Sequence, residues 1–233
     1  ALPKLKNATY ELTLPSTGNT VHYRPFLVKE QKLLMMAQES EDPKELEAAF
    51  GQILVDCVEE ISEPDQMPMF DVEYVFLKIR GKSVGEVVNL KLLCEDDNKT
   101  YADVKLNLDD INVQMTEDHT NVIDLSNDIK LVMKYPCLGD MQGYDEMGEI
   151  KSLFHMIKRC VHEIHDGEQI HNRIDIQDNE LDDFIDSMST QNFELVGKFF
   201  ETMPKLKHVI EVENPKTKVK NELTIEGLQS FFE

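Results

Sequence analysis

The chain has 233 residues, with 45 Asp+Glu against 24 Lys+Arg, a formal net charge of -21 and a hydrophobic content of 41%. It is long enough to bury a core and too apolar for a disordered acidic tail, yet no apolar run approaches the ~18–20 residues that cross a bilayer. A charge of this sign repels DNA, RNA and anionic lipid, and four scattered cysteines (Cys57, Cys94, Cys137, Cys160) make neither a CxxC pair nor a disulfide framework.

Ala1-Leu2-Pro3-Lys4-Leu5-Lys6 has no apolar h-region, so the expectation is a protein that assembles in the cytosol. The first element is a β-hairpin. Thr9–Leu14 alternates polar and apolar residues, Pro15–Asn19 is a turn cluster, and Thr20–Arg24 returns until Pro25 stops it. Val28–Gln38 is rich in helix formers. A second helix starts at Asp42, a good cap, with Pro43 in the first turn and Glu45 at the capping-box position. Its apolar residues, Leu46, Ala49, Phe50, Ile53, Leu54, Cys57, Val58 and Ile61, follow the 3,4 spacing of one buried face.

Phe70–Arg80 reads as a third helix with Val72, Val75, Phe76 and Ile79 on its face. The period then drops to two. Glu86–Cys94 and Thr100–Leu108 are strands around the turn Glu95-Asp96-Asp97-Asn98, followed by short strands at Ile111–Thr116, Val122–Leu125 and Ile129–Tyr135. Tyr144–His165 predicts a long helix whose buried face is Met147, Ile150, Leu153, Phe154, Ile157, Val161 and Ile164. Asp178–Met188 and Thr190–Met203 are two more helices, and Gly197 in the second marks a close helix contact. His208–Glu213 and Val219–Thr224 form a final hairpin before an apolar tail, Ile225–Phe232. The fold class is α+β: an N-terminal β-hairpin with helices, central antiparallel strands, and a helical C-terminal part with a terminal hairpin. The organisation is three stretches, 1–69, 70–138 and 139–233, or one continuous fold.

The charge lies in blocks. Residues 39–73 carry 12 carboxylates and one lysine, residues 95–128 carry 10 and two, and residues 145–186 carry 12 against four basic residues. Residues 1–34, 74–94 and 198–220 each carry a net +3. Charge runs usually face water, but alternating blocks also orient a molecule against patterned partners.

Candidate chemistry is sparse. His155, His162, His165 and His171 cluster, but His162-Glu163-Ile164-His165 misses the i, i+4 spacing by which two imidazoles reach one zinc. Gly81-Lys82-Ser83 matches the end of a P-loop, but Phe76 stands where that loop needs its first glycine, which leaves a helix-to-strand turn. Asp96–Asp103 and Asp178–Asp186 lack the glycine and glutamate places of a calcium loop. No Gly-x-Ser-x-Gly elbow occurs. The expectation is therefore no catalytic residue, no cofactor and no metal, and a binding or structural role. The candidate interface residues are Phe199, Phe200, Leu228, Phe231 and Phe232 as apolar anchors and Lys205 and Lys207 as charges.

Five segments carry a resemblance: Tyr23–Glu30 running into Lys32–Ala37; Phe70–Arg80 followed by Lys82–Glu86; Lys134-Tyr135-Pro136; Phe199–Leu206; and Gly227–Phe232. Together they resemble the hub subunit and hub assembly proteins of the baseplate of T-even-type contractile-tailed bacteriophages, over nearly the whole chain. The resemblance implies a late phage protein that docks onto other hub and tail proteins, binds neither nucleic acid nor membrane, and is open to homo-oligomerisation. It implies assembly in the host cytoplasm and residence in the virion tail baseplate, or else a non-virion assembly chaperone. It also implies that Tyr74, Phe76 and Leu77 are packed, and that Phe199, Phe200, Phe231 and Phe232 serve the C-terminal core or an interface. Two readings from other classes are a metal-dependent enzyme using His155–His171 and an acidic mimic of DNA.

Overall fold

A computed structural model of the chain describes residues 5–126, 128–141 and 148–228. In chain order the elements are β1 (Tyr10–Thr13), β2 (Thr20–Tyr23), α1 (Val28–Ser40), α2 (Pro43–Cys57), α3 (Met69–Val84), β3 (Val87–Leu93), β4 (Tyr101–Asn107), β5 (Val113–Gln114), β6 (Val122–Ser126) and β7 (Ile129–Met133). There follow α4 (Glu149–Cys160), β8 (Val161–Asp166), β9 (Gln169–Asn172), α5 (Asp178–Asp186), α6 (Thr190–Thr202), β10 (Lys205–Glu213) and β11 (Lys220–Glu226). This is an α+β fold in which all the paired strands run antiparallel. The chain divides into two compact units: Ala1–Gln114 with Lys205–Glu233, and Met115–Pro204.

In the first unit the opening hairpin pairs Leu12 with Val21 and Tyr10 with Tyr23. Alternation puts Leu12, Val21 and Tyr23 inside. Helix α2 starts as its sequence demands: the Asp42 side chain accepts a hydrogen bond from the Lys44 amide, and Pro43 occupies the first turn. Its face of Ala49, Ile53, Leu54 and Cys57 is buried. Helix α3 is longer than predicted and buried nearly all round, with Phe70 and Leu77 inside as well as Val72, Val75, Phe76 and Ile79. The Gly81-Lys82-Ser83 run is its last helical turn, and the turn into β3 comes later, at Gly85 with φ 126°.

Two hairpins close this unit. β3 pairs with β4, and β10 pairs with β11 on one side and with β5 on the other. Their inward residues share two clusters, one of Leu77, Leu90, Leu106, Leu108, Ile111, Leu206 and Ile225, the other of Cys94, Ala102, Val104, Val212 and Leu223. The hairpin tips are tied by Asp96. Its carboxylate accepts from Asn214 Nδ2 at 2.9 Å and Thr217 Oγ1 at 2.5 Å, while its amide donates to Asn221 Oδ1 at 3.0 Å.

The second unit is a four-stranded sheet, β6-β7-β8-β9, with three helices against one face. Ile123, Leu131 and Ile164 lie in register on that face, under Leu181, Ile185, Val196 and Phe199. The predicted helix Tyr144–His165 is corrected here. It ends at Cys160, and Val161–Asp166 is a strand paired with β7 and with β9. Val161 and Ile164 keep the spacing of the preceding helix, so periodicity alone does not separate the two. The predicted start, residues 144–147, lies outside the described residues. The face is corrected too: Ser152, Met156, Ile157 and Cys160 are buried, while Ile150, Leu153 and Phe154 are exposed. A Cβ added at Gly197 meets nothing within 4 Å, so this glycine marks no close contact.

Candidate docking surfaces

The segments that carry the resemblance converge on buried polar nodes. In the first unit, Arg24 sits between β2 and α1. Its guanidinium donates to both oxygens of Glu30 (2.7 and 3.3 Å) and to the carbonyls of Asp56 (2.7 Å) and Pro25 (3.0 Å). Glu30 has a fully buried side chain and also accepts from the Leu27 amide at 2.8 Å. Burial alone would raise its pKa. Arg24, the Leu27 amide and Lys29 outweigh that and hold it at about 2. The Phe26 amide donates to Ser83 Oγ at 2.7 Å, and the Phe26 ring meets Phe76 at 5.4 Å. Lys82 pairs with Glu86, lies 3.5 Å from Asp109 and covers the Tyr10 ring. It is thus held within the fold as an ion-pair partner.

In the second unit the Lys134-Tyr135-Pro136 and Phe199–Leu206 segments meet at His119. Its ring stacks on Tyr135 and lies 5.3 Å from Phe199, while its Nδ1 lies 2.8 Å from Thr202 Oγ1. Burial pushes its pKa down, which favours the neutral ring. Asp140, also buried, accepts from Arg159 Nε at 2.8 Å and from the Cys137 amide at 2.9 Å.

The residues expected at an interface fall in different places. Phe199 is 2% exposed in the core of the second unit, with Phe200 half-buried at its edge, 5.1 Å away. Lys205, Lys207 and Leu228 come together in the first unit. Lys205 lies 3.5 Å from Glu226, Lys207 stands opposite Glu226 in the hairpin register, and half-buried Leu228 packs on the cluster around Leu77. Phe231 and Phe232 lie outside the described residues.

The histidines spread over three elements: His155 on α4, His162 and His165 on β8, and His171 on β9. His165 Nε2 is 2.7 Å from Glu163 and His162 Nε2 is 3.5 Å from the same carboxylate. Among the described residues no group of three or more His, Cys, Asp or Glu is placed to hold a metal. No described helix is long and apolar enough to cross a membrane.

Among the groups the packing leaves uncovered are two apolar strips. On α4, Ile150 (74% exposed), Leu153 and Phe154 form a strip, with Phe154 stacked on Phe193 of α6 at 5.6 Å. On α1, Val28, Met35 and Met36 are exposed. The surrounding charge is uneven, since residues 115–204 carry 19 Asp+Glu against 7 Lys+Arg. The sequence reading missed both strips. It assigned the α4 residues to the core, and it did not ask which side of α1 faces α2.

A family model described as T4 bacteriophage base plate protein matches residues 7–233. The chain belongs to that family. Searches of curated proteins and of solved structures returned no match. For a baseplate protein the features above take on meaning as parts of an assembly subunit. Its polar nodes are buried within the fold, and its apolar strips are exposed.

One further group affects this baseplate protein's stability. Glu73 on α3 accepts the Leu228 amide beside Glu226, and burial, followed by the Glu226 charge, pushes its pKa up to about 7. The folded state therefore holds a proton that the unfolded chain releases near pH 4.5. Stability is lost as pH rises from about 4.5 through 7. Glu73→Gln keeps the acceptor and removes the ionisation. The variant is expected to match the parent near pH 4 and to exceed it by about 1–3 kcal/mol at pH 8. Urea unfolding at the two pH values reads this; an equal offset at both would show that the carboxyl does not titrate as described.

Proposed function

We propose that the chain is a structural or assembly protein of the baseplate hub, acting by protein–protein docking during tail assembly in the host cytoplasm. The reading is carried by the family match over residues 7–233, joined to the hub resemblance of the five segments. The exposed strip Ile150–Leu153–Phe154 supplies hydrophobic anchors of the kind that dominate binding energy, and the charge blocks supply orientation. Its partners in this reading are other hub and tail proteins of the phage, with neither nucleic acid nor membrane involved. It acts as no enzyme, and the histidines of β8 lie against the Glu163 carboxylate. The second reading, a chaperone that leaves before the virion is complete, shares the same docking chemistry.

Mass spectrometry of purified, mature tails separates the two, since presence means a hub component. Absence together with a tail-assembly defect in a deletion phage means a chaperone. In a pull-down with the co-expressed hub proteins, the parent is expected to recover at least one, and Ile150→Asp is expected to cut that recovery about tenfold with an unchanged circular dichroism spectrum. Recovery of no hub protein by the parent would count against the hub assignment.

A further inference from the structure

Helix α1 buries only Glu30 and Ala37 fully, with Leu33 and Leu34 half-buried. At 3.6 residues per turn these four point one way, and Val28, Lys32, Met35, Met36 and Glu39 share an arc of about 100° on the other side. All five are exposed, Val28 by 67%, Met35 by 53% and Met36 by 68%. Lys32 and Glu39 form no ion pair among the described residues. The outer face is thus an apolar stripe rich in methionine, a side chain suited to contact surfaces, with a cation on one side of the methionine pair and an anion on the other.

The two charges of the exposed stripe are the wrong way round for the helix that carries them. A helix favours anions at its N-terminal end and cations at its C-terminal end. The outer face of α1 has Lys32 in its first half and Glu39 in its last turn, next to the Glu41 cap. Within one copy this arrangement is unfavourable. An antiparallel neighbour of the same sequence reverses it.

We infer that α1 is a self-association face on which a second copy of this chain docks through its own α1, antiparallel about a two-fold axis between Met35 and Met36. That operation sets Met35 of each copy against Met36 of the other. It places Lys32 of each beside Glu39 of the other, because the two residues lie equally far from the axis, about 5 Å along each helix. Each lysine then sits near the negative end of the neighbouring helix and each glutamate near the positive end. The pattern is self-complementary, as an isologous interface requires. The charge pairing favours a second copy over an unrelated helix, since one stripe supplies both halves of each pair. The contact does not depend on the hub assignment, and its failure would leave the tail-content experiment unaffected.

Sedimentation of the purified full chain across a wide concentration range at physiological salt tests it. The parent is expected to dimerise. Met36→Asp is expected to abolish the dimer, and K32E and E39K are each expected to raise its dissociation constant about tenfold. All three positions are exposed, so the fold survives, as circular dichroism checks. The double variant K32E/E39K restores the opposed charges and is expected to return the dissociation constant towards the parent value. A parent that stays monomeric throughout, or a Met36→Asp dimer as tight as the parent's, overturns the inference. Failure of the double variant to recover overturns the antiparallel register.

Discussion

Glu30→Ala is expected to cost the first unit about 3–5 kcal/mol, the range for removing one partner of a buried ion pair. The carboxylate is the fixed point of four donors: two guanidinium nitrogens of Arg24, the Leu27 amide and Lys29 at 3.2 Å. Alanine would leave Arg24, itself largely buried, without a counter-ion at the junction of β2, α1 and α2. The pH dependence follows from a folded pKa of about 2 against 4.5 in the unfolded chain. For a depressed acid the contribution is complete above about pH 4.5 and disappears as pH falls towards 2. It amounts to about 3 kcal/mol. Urea unfolding at pH 7 and at pH 3 is the check. The variant's deficit should shrink markedly at the lower pH, and Glu30→Gln should be less acid-sensitive than the parent in that window. A deficit that does not change with pH would mean that packing, and not charge, is what Glu30 supplies.

Lys78→Met is expected to cost about 3 kcal/mol or more in the same unit. The ammonium is buried on α3 and donates to three backbone carbonyls, Leu108, Asp109 and Ile111, each at 3.1 Å, with the Tyr74 ring 5.1 Å from it. An ammonium has three donors, and all three are used. They tie α3 to the short 3-10 turn Leu108–Asp110 and to Ile111 just after it. Methionine preserves the stem and the volume but removes the ammonium donor from all three carbonyls, of which Leu108 keeps only the Ile111 amide at 3.4 Å. Arginine would not restore them, because its planar fork cannot converge on three acceptors as an ammonium does. Burial lowers the pKa of Lys78 from the ordinary lysine value, with Asp109 and Asp110 opposing the shift. The measurement is the urea midpoint of Lys78→Met and Lys78→Arg beside the parent. A loss under about 1 kcal/mol for methionine would show that water replaces the ammonium at little cost.

Local signals wrote much of the fold plainly. Alternation located the first two hairpins to within a residue or so and put the last at 208–213 and 219–224, although β10 begins at Lys205, and Asp42-Pro43 placed the start of α2. The misses share one cause, a pattern that needs three dimensions to interpret. Val161-His162-Glu163-Ile164 follows α4 with no glycine or proline between. It becomes a strand because β7 offers a partner: Leu131 faces Ile164 and Val132 faces Glu163. Ile150, Leu153 and Phe154 belong to the apolar arc of α4, but the face that packs is turned towards Ser152, Met156 and Cys160 and leaves them exposed. The buried charges were the least legible, because single charges normally indicate solvent. Two cues stood in the sequence: Lys78 interrupts Val75-Phe76-Leu77 and Ile79, a run apolar on every side, and Glu30 stands three residues after Leu27, the spacing of a reciprocal cap. Of the proposed interface, Lys205, Lys207 and Leu228 meet in space only because β10 and β11 pair, a contact that no local spacing announces.

The hairpin of β10 and β11 also orders events in time. Leu206, Val212, Leu223 and Ile225 complete cores whose other members lie before residue 112. A ribosome delivering the chain from its N-terminus releases every helix of the first unit long before these strands emerge. The continuous stretch 115–204 can close on itself in the interval, while Leu77, Leu90 and Leu106 wait with their apolar surfaces open to the cell. Such a nascent chain is most exposed to aggregation during that delay, and a translation pause before codon 205 should lower its yield.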